Sequence, residues 1–121
     1  METTNQFVIT MGMANVKKIA TAVSSFIYET DRVKFIHKFN DFYSHEYPTY
    51  RNAVHSEAIK EFLDTEMDYI LHTFMSTQNQ KVLDYSLGRA VGEIDRVSCG
   101  GSPIEAKEDI IKRRKEELNN D

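Results

Sequence analysis

Apolar residues recur at intervals of three and four from Val16 to Val97, and this period is the strongest constraint on the fold. Side chains spaced near 3.6 residues line one face of an α-helix, so such a chain buries its apolar atoms by packing helix on helix. Val16, Ile19, Ala20, Val23 and Ile27 form the first stripe, with Asn15 placed to cap it and Lys17 and Lys18 turned to water. Thr30-Asp31 offers a new capping position, followed by Val33, Phe35, Ile36, Phe39, Phe42 and Tyr43. Pro48 is expected to break the chain, because it disfavours helix in Tyr47 and has no N–H to donate.

The next helix is predicted from Thr49 or Tyr50 to Met75, with Val54, Ala58, Ile59, Phe62, Leu63, Met67, Ile70, Leu71 and Phe74 facing the core. A polar turn, Ser76-Thr77-Gln78-Asn79, leads into a helix over Gln80 to Ser98. Its Leu83, Leu87, Ala90, Ile94 and Val97 repeat at a 4-3-4-3 spacing, the seam of one helix lying along another. Gly88 and Gly92 sit one turn apart there; each costs about 1 kcal/mol relative to Ala, which close approach of another backbone would offset.

Cys99-Gly100-Gly101-Ser102-Pro103 marks the clearest boundary. Gly100 can take the left-handed conformation that ends a helix. Ser102, Pro103 and Glu105 then supply the N-cap, the first helical residue and the capping-box acid of another. That helix, Pro103 to about Asn119, has a thin apolar stripe of Ile104, Ala106, Ile110, Ile111 and Leu118. Its Glu108–Lys112 and Asp109–Arg113 pairs stand in the favourable acid-before-base order.

Near the N-terminus, Phe7-Val8-Ile9-Thr10 has strand character, but no second segment pairs with it. The chain is therefore read as one all-α domain over 1–121. It comprises a flexible arm at 1–14, a helical body at 15–98 and a charged C-terminal helix at 102–119. The architecture expected is a compact four- to five-helix bundle whose last helix can project from the body.

Composition narrows the function classes. At 121 residues with 40% apolar side chains, the chain can fold as one unaided core. A formal charge of −4 argues against direct nucleic-acid binding. Cys99 is the single cysteine, so neither an internal disulfide nor a thiol-rich zinc site can form. It follows a helix C-terminus, whose partial negative charge disfavours a thiolate, and is expected to be inert. No signal-peptide pattern opens the sequence, and no run approaches the roughly 18 apolar residues of a membrane span. A cytoplasmic location is expected. Neither G-x-S-x-G nor a P-loop occurs.

The most pointed constellation is Glu57, Glu61, Asp64, Asp68 and His72, which fall at i, i+4, i+7, i+11 and i+15 on one helical face. Carboxylates and an imidazole at such offsets can chelate a metal, but a di-metal bundle needs matching acids and Glu-x-x-His on facing helices. The facing helix carries only Asp84, Glu93 and Asp95. The plainer reading is the solvent face that amphipathicity requires, and no metal or cofactor is expected. A strip of carboxylates is also a docking surface for a basic protein, including one whose own ligand is nucleic acid. In the last helix, Lys112-Arg113-Arg114-Lys115 forms a basic block neutralised by neighbouring acids, and could meet the acidic strip of another subunit.

These features predict a non-enzymatic helical module that binds a protein partner or itself through Glu57, Glu61, Asp64, Asp68, Lys112, Arg113 and Arg114. One form is an inhibitor or decoy, of the kind small phage and mobile-element proteins often are, whose acids block a cationic site. The alternatives are a self-assembling structural subunit and a metal-binding bundle enzyme built on the strip plus His72.

Overall fold

Helix boundaries fall where side chains can cap them. The computed structural model describes residues 2–119, with side chains from 12 to 117, and it is all-α. Helix α1 spans Glu2–Ser24 and α2 Arg32–Asp41, the latter capped by Asp31, whose Oδ1 accepts from the Lys34 N–H at 3.0 Å. Asn15 therefore lies inside α1 instead of capping it. The arm expected at 1–14 coincides with helical backbone from Glu2, and the side chains of 1–11 lie outside those described.

The chain does not break at Pro48. A π-helical turn, Phe42–Glu46, carries α2 directly into α3, Tyr47–Asn52, with the Tyr47 N–H donating to the Phe42 carbonyl. Pro48 stands in the first turn of α3, where a missing N–H costs little. The real break comes at residues 53–56. There Ser56 Oγ accepts from the Ile59 N–H and starts α4, Glu57–Ser76, while Val54 is buried in the connection. The single helix predicted from Thr49 to Met75 is thus two, divided by a serine cap that no Gly or Pro announces.

Asn79 caps α5, Gln80–Ser98, by accepting from the N–H groups of Lys81 and Val82. Gly100 adopts φ of 101°, returning its N–H to the Val97 carbonyl. At Gly101 any Cβ would meet the Arg96 carbonyl oxygen at 2.9 Å, so the tight exit requires glycine there too. Ser102 Oγ then accepts from Glu105 N–H at 3.2 Å and opens α6, Pro103–Asn119.

Two seams organise the packing. Helix α1 lies along α5, where Val16, Ile19, Ala20 and Val23 bury against Leu83, Leu87, Ala90, Ile94 and Val97. The seam residues expected from the 4-3-4-3 spacing are all buried. Beside it, Phe26, Phe35, Phe39, Phe42 and Phe74 form an aromatic cluster, with Phe35 stacked on Phe74 at 3.7 Å between centroids. Gly88 sits under the Tyr28 hydroxyl, a side chain and not a backbone, whereas Gly92 faces open space.

The second seam joins α4 to α6, with α5 alongside. Helix α6 is docked on the body; it does not project. Its expected stripe is only partly used: Ala106 and Ile110 are buried, Ile104 and Ile111 are exposed, and the Leu118 side chain lies outside those described. The next inward position belongs to Arg113, which is also buried.

Candidate functional site

Three helices each carry a charged residue where their apolar stripe should continue. On α4, Phe62, Leu63, Met67, Ile70 and Phe74 bracket Glu66, which is 0% exposed. On α5, Ser86, Ala90, Glu93 and Val97 run along the flank of the seam, all buried. On α6, Ala106, Ile110, Arg113 and Glu117 repeat at the same spacing, with Arg113 5% exposed. The helical period thus places Glu66, Glu93 and Arg113 at a common junction.

Arg113 Nη2 donates to Glu93 Oε2 at 2.6 Å and lies 3.9 Å from Glu66 Oε1. Its guanidinium rests over the Tyr69 ring, 4.8 Å from the centroid, where the ring face attracts a cation. Tyr69 donates its hydroxyl to Glu117 Oε1 at 2.7 Å, and Ser86 Oγ donates to the same oxygen at 3.2 Å. Among the described residues, both Glu66 oxygens and Arg113 Nε and Nη1 have no hydrogen-bond partner.

One guanidinium therefore serves two buried carboxylates. Burial pushes the Glu66 carboxyl well above the usual carboxylate range, the neighbouring Glu93 pushes it further, and Arg113 opposes both. With a proton on Glu66, the one guanidinium faces one carboxylate, Glu93, while the Glu117 carboxylate is held by Tyr69 and Ser86. Burial likewise raises the Tyr69 phenol, with its hydrogen bond to Glu117 adding to the effect.

The outward face of α4 meets its own set of bases. Arg51 grips Asp64 with two hydrogen bonds, Nε to Oδ1 and Nη2 to Oδ2, each 2.8 Å, and the Tyr47 hydroxyl donates to Oδ1 at 2.7 Å. Burial alone would raise the Asp64 carboxyl, but these donors outweigh it and hold it below its ordinary value. Burial and the same carboxylate push the Tyr47 phenol upward. Lys107 Nζ stands 3.5 Å from Glu61 Oε2, and Arg114 Nη1 is 2.9 Å from Asp68 Oδ2. Glu57, 85% exposed at its side chain, has Lys60 at 3.7 Å. Arg96 of α5 reaches Glu105 and Asp109 at 3.7 and 4.0 Å, fastening the start of α6.

Of the predicted contact residues, Glu57 and Glu61 remain on the surface, as does Lys112. Asp64 is committed to α3. Asp68 and Arg114 pair with each other at the surface. Arg113, expected on a partner surface, is buried, because the inward position of α6 at this spacing falls on it and its guanidinium lies over the Tyr69 ring. The acidic strip meets basic residues of the last helix within one chain, where pairing between subunits was an option. The strip does not converge as a metal site would need: among the described residues no three His, Cys, Asp or Glu side chains gather to hold an ion. His72 stays exposed, and Cys99 is exposed and free.

Sequence reasoning missed Glu66, Tyr69, Ser86 and Glu117, and it read Glu93 only as a possible metal ligand. The signal was present as apolar stripes that continue through a charged residue on α4, α5 and α6 at once.

The energies are comparable, and that matters for what the seam can do. Burying Ile110 contributes about 1.5–3 kcal/mol, and each exposed pair along α6 about 0–1 kcal/mol. An uncompensated charge in the seam costs several kcal/mol. The protonation state of the pair is therefore as large as the forces that dock α6.

The surface also carries open grooves. One of about 470 Å³ lies between α1 and α2 over Phe26 and Phe42, with Lys38, Asp41, His45 and Glu46 on its rim. Another of about 280 Å³ lies between α2 and the end of α4, lined by Val33, Ile36, His37, Phe74 and Met75. Among the described residues no helix is long and apolar enough to cross a membrane. No protein-family profile, curated protein or solved structure matches the chain.

Proposed function

We propose that the chain is a non-enzymatic helical interaction module whose working surface is the charged face shared by α4 and α6. The observation that carries this reading is the solvent exposure of the Glu61–Lys107 and Asp68–Arg114 pairs. Exposed pairs hold their partners weakly, so a basic protein can exchange its own cations for Lys107 and Arg114 at little cost. Glu57, one turn before Glu61, extends the acidic surface the partner would meet. The partner is a protein with a cationic site, and the module acts in the cytoplasm as an inhibitor or decoy that occupies that site.

Ser25 and His45 line the same groove between α1 and α2. Ser25 Oγ donates to the Ala22 carbonyl, and His45 Nδ1 is engaged by the Asp41 carbonyl. Each is held by its own helix and not by the other, unlike a nucleophile and its base.

The test is affinity capture from the host with the full chain, comparing the wild type with the Glu57→Lys, Glu61→Lys double variant. These two positions are chosen because Asp64 anchors α3. A partner lost on charge reversal and on raising salt is expected. The same partner retained by the folded variant overturns the reading.

A second reading, self-association, is favoured by Val33 at 67% and Met75 at 60% exposure flanking the apolar groove between α2 and α4. Sedimentation velocity over a hundredfold concentration range would show a larger species that a Met75→Glu change dissolves. A monomer throughout removes it.

A further inference from the structure

We propose that α6 is a proton-gated clasp: it stays docked while the Glu66–Glu93 pair holds one proton, and it leaves the α4–α5 face when that proton is lost. The geometry carries the proposal. Glu66 is fully buried, accepts from no donor among the described residues, and shares its one facing cation with Glu93. That cation, Arg113, belongs to α6, so lifting α6 takes the countercharge with it.

The groups facing Glu66 can be named helix by helix. From α5 comes Glu93 and from α6 comes Arg113. Tyr69, on α4 itself, lies under Arg113 and joins Ser86 in binding Glu117. From α3, Arg51 and Tyr47 turn to Asp64. Nothing in this set can neutralise a second buried carboxylate. With both acids ionised, one guanidinium faces two negative charges, and the docked state carries an uncompensated charge that water removes once α6 lifts.

The sign follows from linkage. Burial and Glu93 raise the Glu66 carboxyl in the docked state above its value in water. The contribution of Glu66 to docking is therefore fully present below the ordinary glutamate range and is lost as pH rises through the docked value. The anchoring is suited to release: α6 buries only Ala106 and Ile110 besides Arg113 among its described side chains, and it is joined through Gly100-Gly101. Lifting α6 also breaks Glu61–Lys107 and Asp68–Arg114, baring the acidic face of α4. That last consequence rests on the interaction reading above, whereas the release itself does not.

Hydrogen exchange of the full chain without any partner, corrected for intrinsic rates, tests the release. As pH rises above the ordinary glutamate range the amides of residues 106–117 should lose protection while those of α1 and α5 keep theirs. One proton limits the change to about tenfold per pH unit. Glu66→Gln, an amide that donates to Glu93 as the protonated acid does, should hold α6 docked and flatten the profile. Glu93→Gln leaves one carboxylate for Arg113 and should flatten it too, which keeps the test decisive if one variant fails to fold. Constant protection of α6 in the wild type overturns the proposal. So does parallel opening of every helix, or an unchanged pH profile in whichever of the two variants folds. A partner that still binds only the acidic face at high pH would support the functional consequence. Its absence would count against the interaction reading and leave the clasp standing.

Discussion

The α1–α5 seam and the α4–α6 seam have similar helix lengths and the same 4-3-4 spacing of inward residues, yet they are built from different chemistry. The first is closed by Val16, Ile19, Leu87, Ala90 and Ile94, whose burial does not depend on any proton. The second is closed by Ala106 and Ile110 together with Glu66, Glu93, Arg113, Tyr69 and Ser86. An apolar seam loses strength gradually as atoms are removed. A seam with one cation between two acids is strong when its charges balance and weak when they do not. The bundle thus joins a permanent interface to a conditional one.

The largest expected effect is at the conditional seam. Arg113→Ala leaves the buried Glu66–Glu93 pair with an uncompensated charge and no cation, and should cost about 3–5 kcal/mol at neutral pH. The loss should shrink as pH falls and less negative charge is left behind; urea denaturation at neutral and at acidic pH measures it. A loss independent of pH would show that Arg113 contributes packing and not charge, and the contrast between the seams would fail.

Leu87→Ala in the apolar seam should cost about 2–5 kcal/mol. Here the same denaturation curves should give the same loss at pH 5 and pH 8. A loss below 1 kcal/mol would mean that the α1–α5 contact is looser than its burial suggests.

The smallest effect is expected on the rim. Lys107→Ala removes the partner of Glu61 from an exposed pair and should change stability by less than about 0.5 kcal/mol. A larger loss would place part of the anchoring of α6 in its surface charges, and would blur the line between clasp and rim.

Much of this architecture was legible in the residue pattern. Asp31, Ser102 and Gly100 cap as their types require, and every seam residue from Leu83 to Val97 is buried. Val33 and Tyr43 are the exceptions among the early apolar positions, both being exposed. The break at residues 53–56 was illegible because a serine cap resembles any surface serine until the chain turns at it. The site was harder still. A periodic pattern read by hydrophobicity assigns Glu66 and Arg113 to water, since a lone charge is rarely buried. What buries them is the meeting of three helices, and no single helix records its neighbours. The outward strip at Glu57, Glu61, Asp64 and Asp68 was visible, but its role changed once Arg51, Lys107 and Arg114 were found beside it.

The π-helical turn at Phe42–Glu46 has a consequence for how this chain can vary in length. A wide turn accommodates one more residue than an α turn, so everything after it is rotated by about 100° relative to an uninterrupted helix. That rotation brings Tyr47 and Arg51 round to Asp64 while Phe39 and Phe42 stay in the aromatic cluster. Deleting a single residue between 42 and 46 would restore ordinary helix and swing that pair away from α4. In the lineage of this protein, the segment should therefore tolerate substitution far more readily than a change in count.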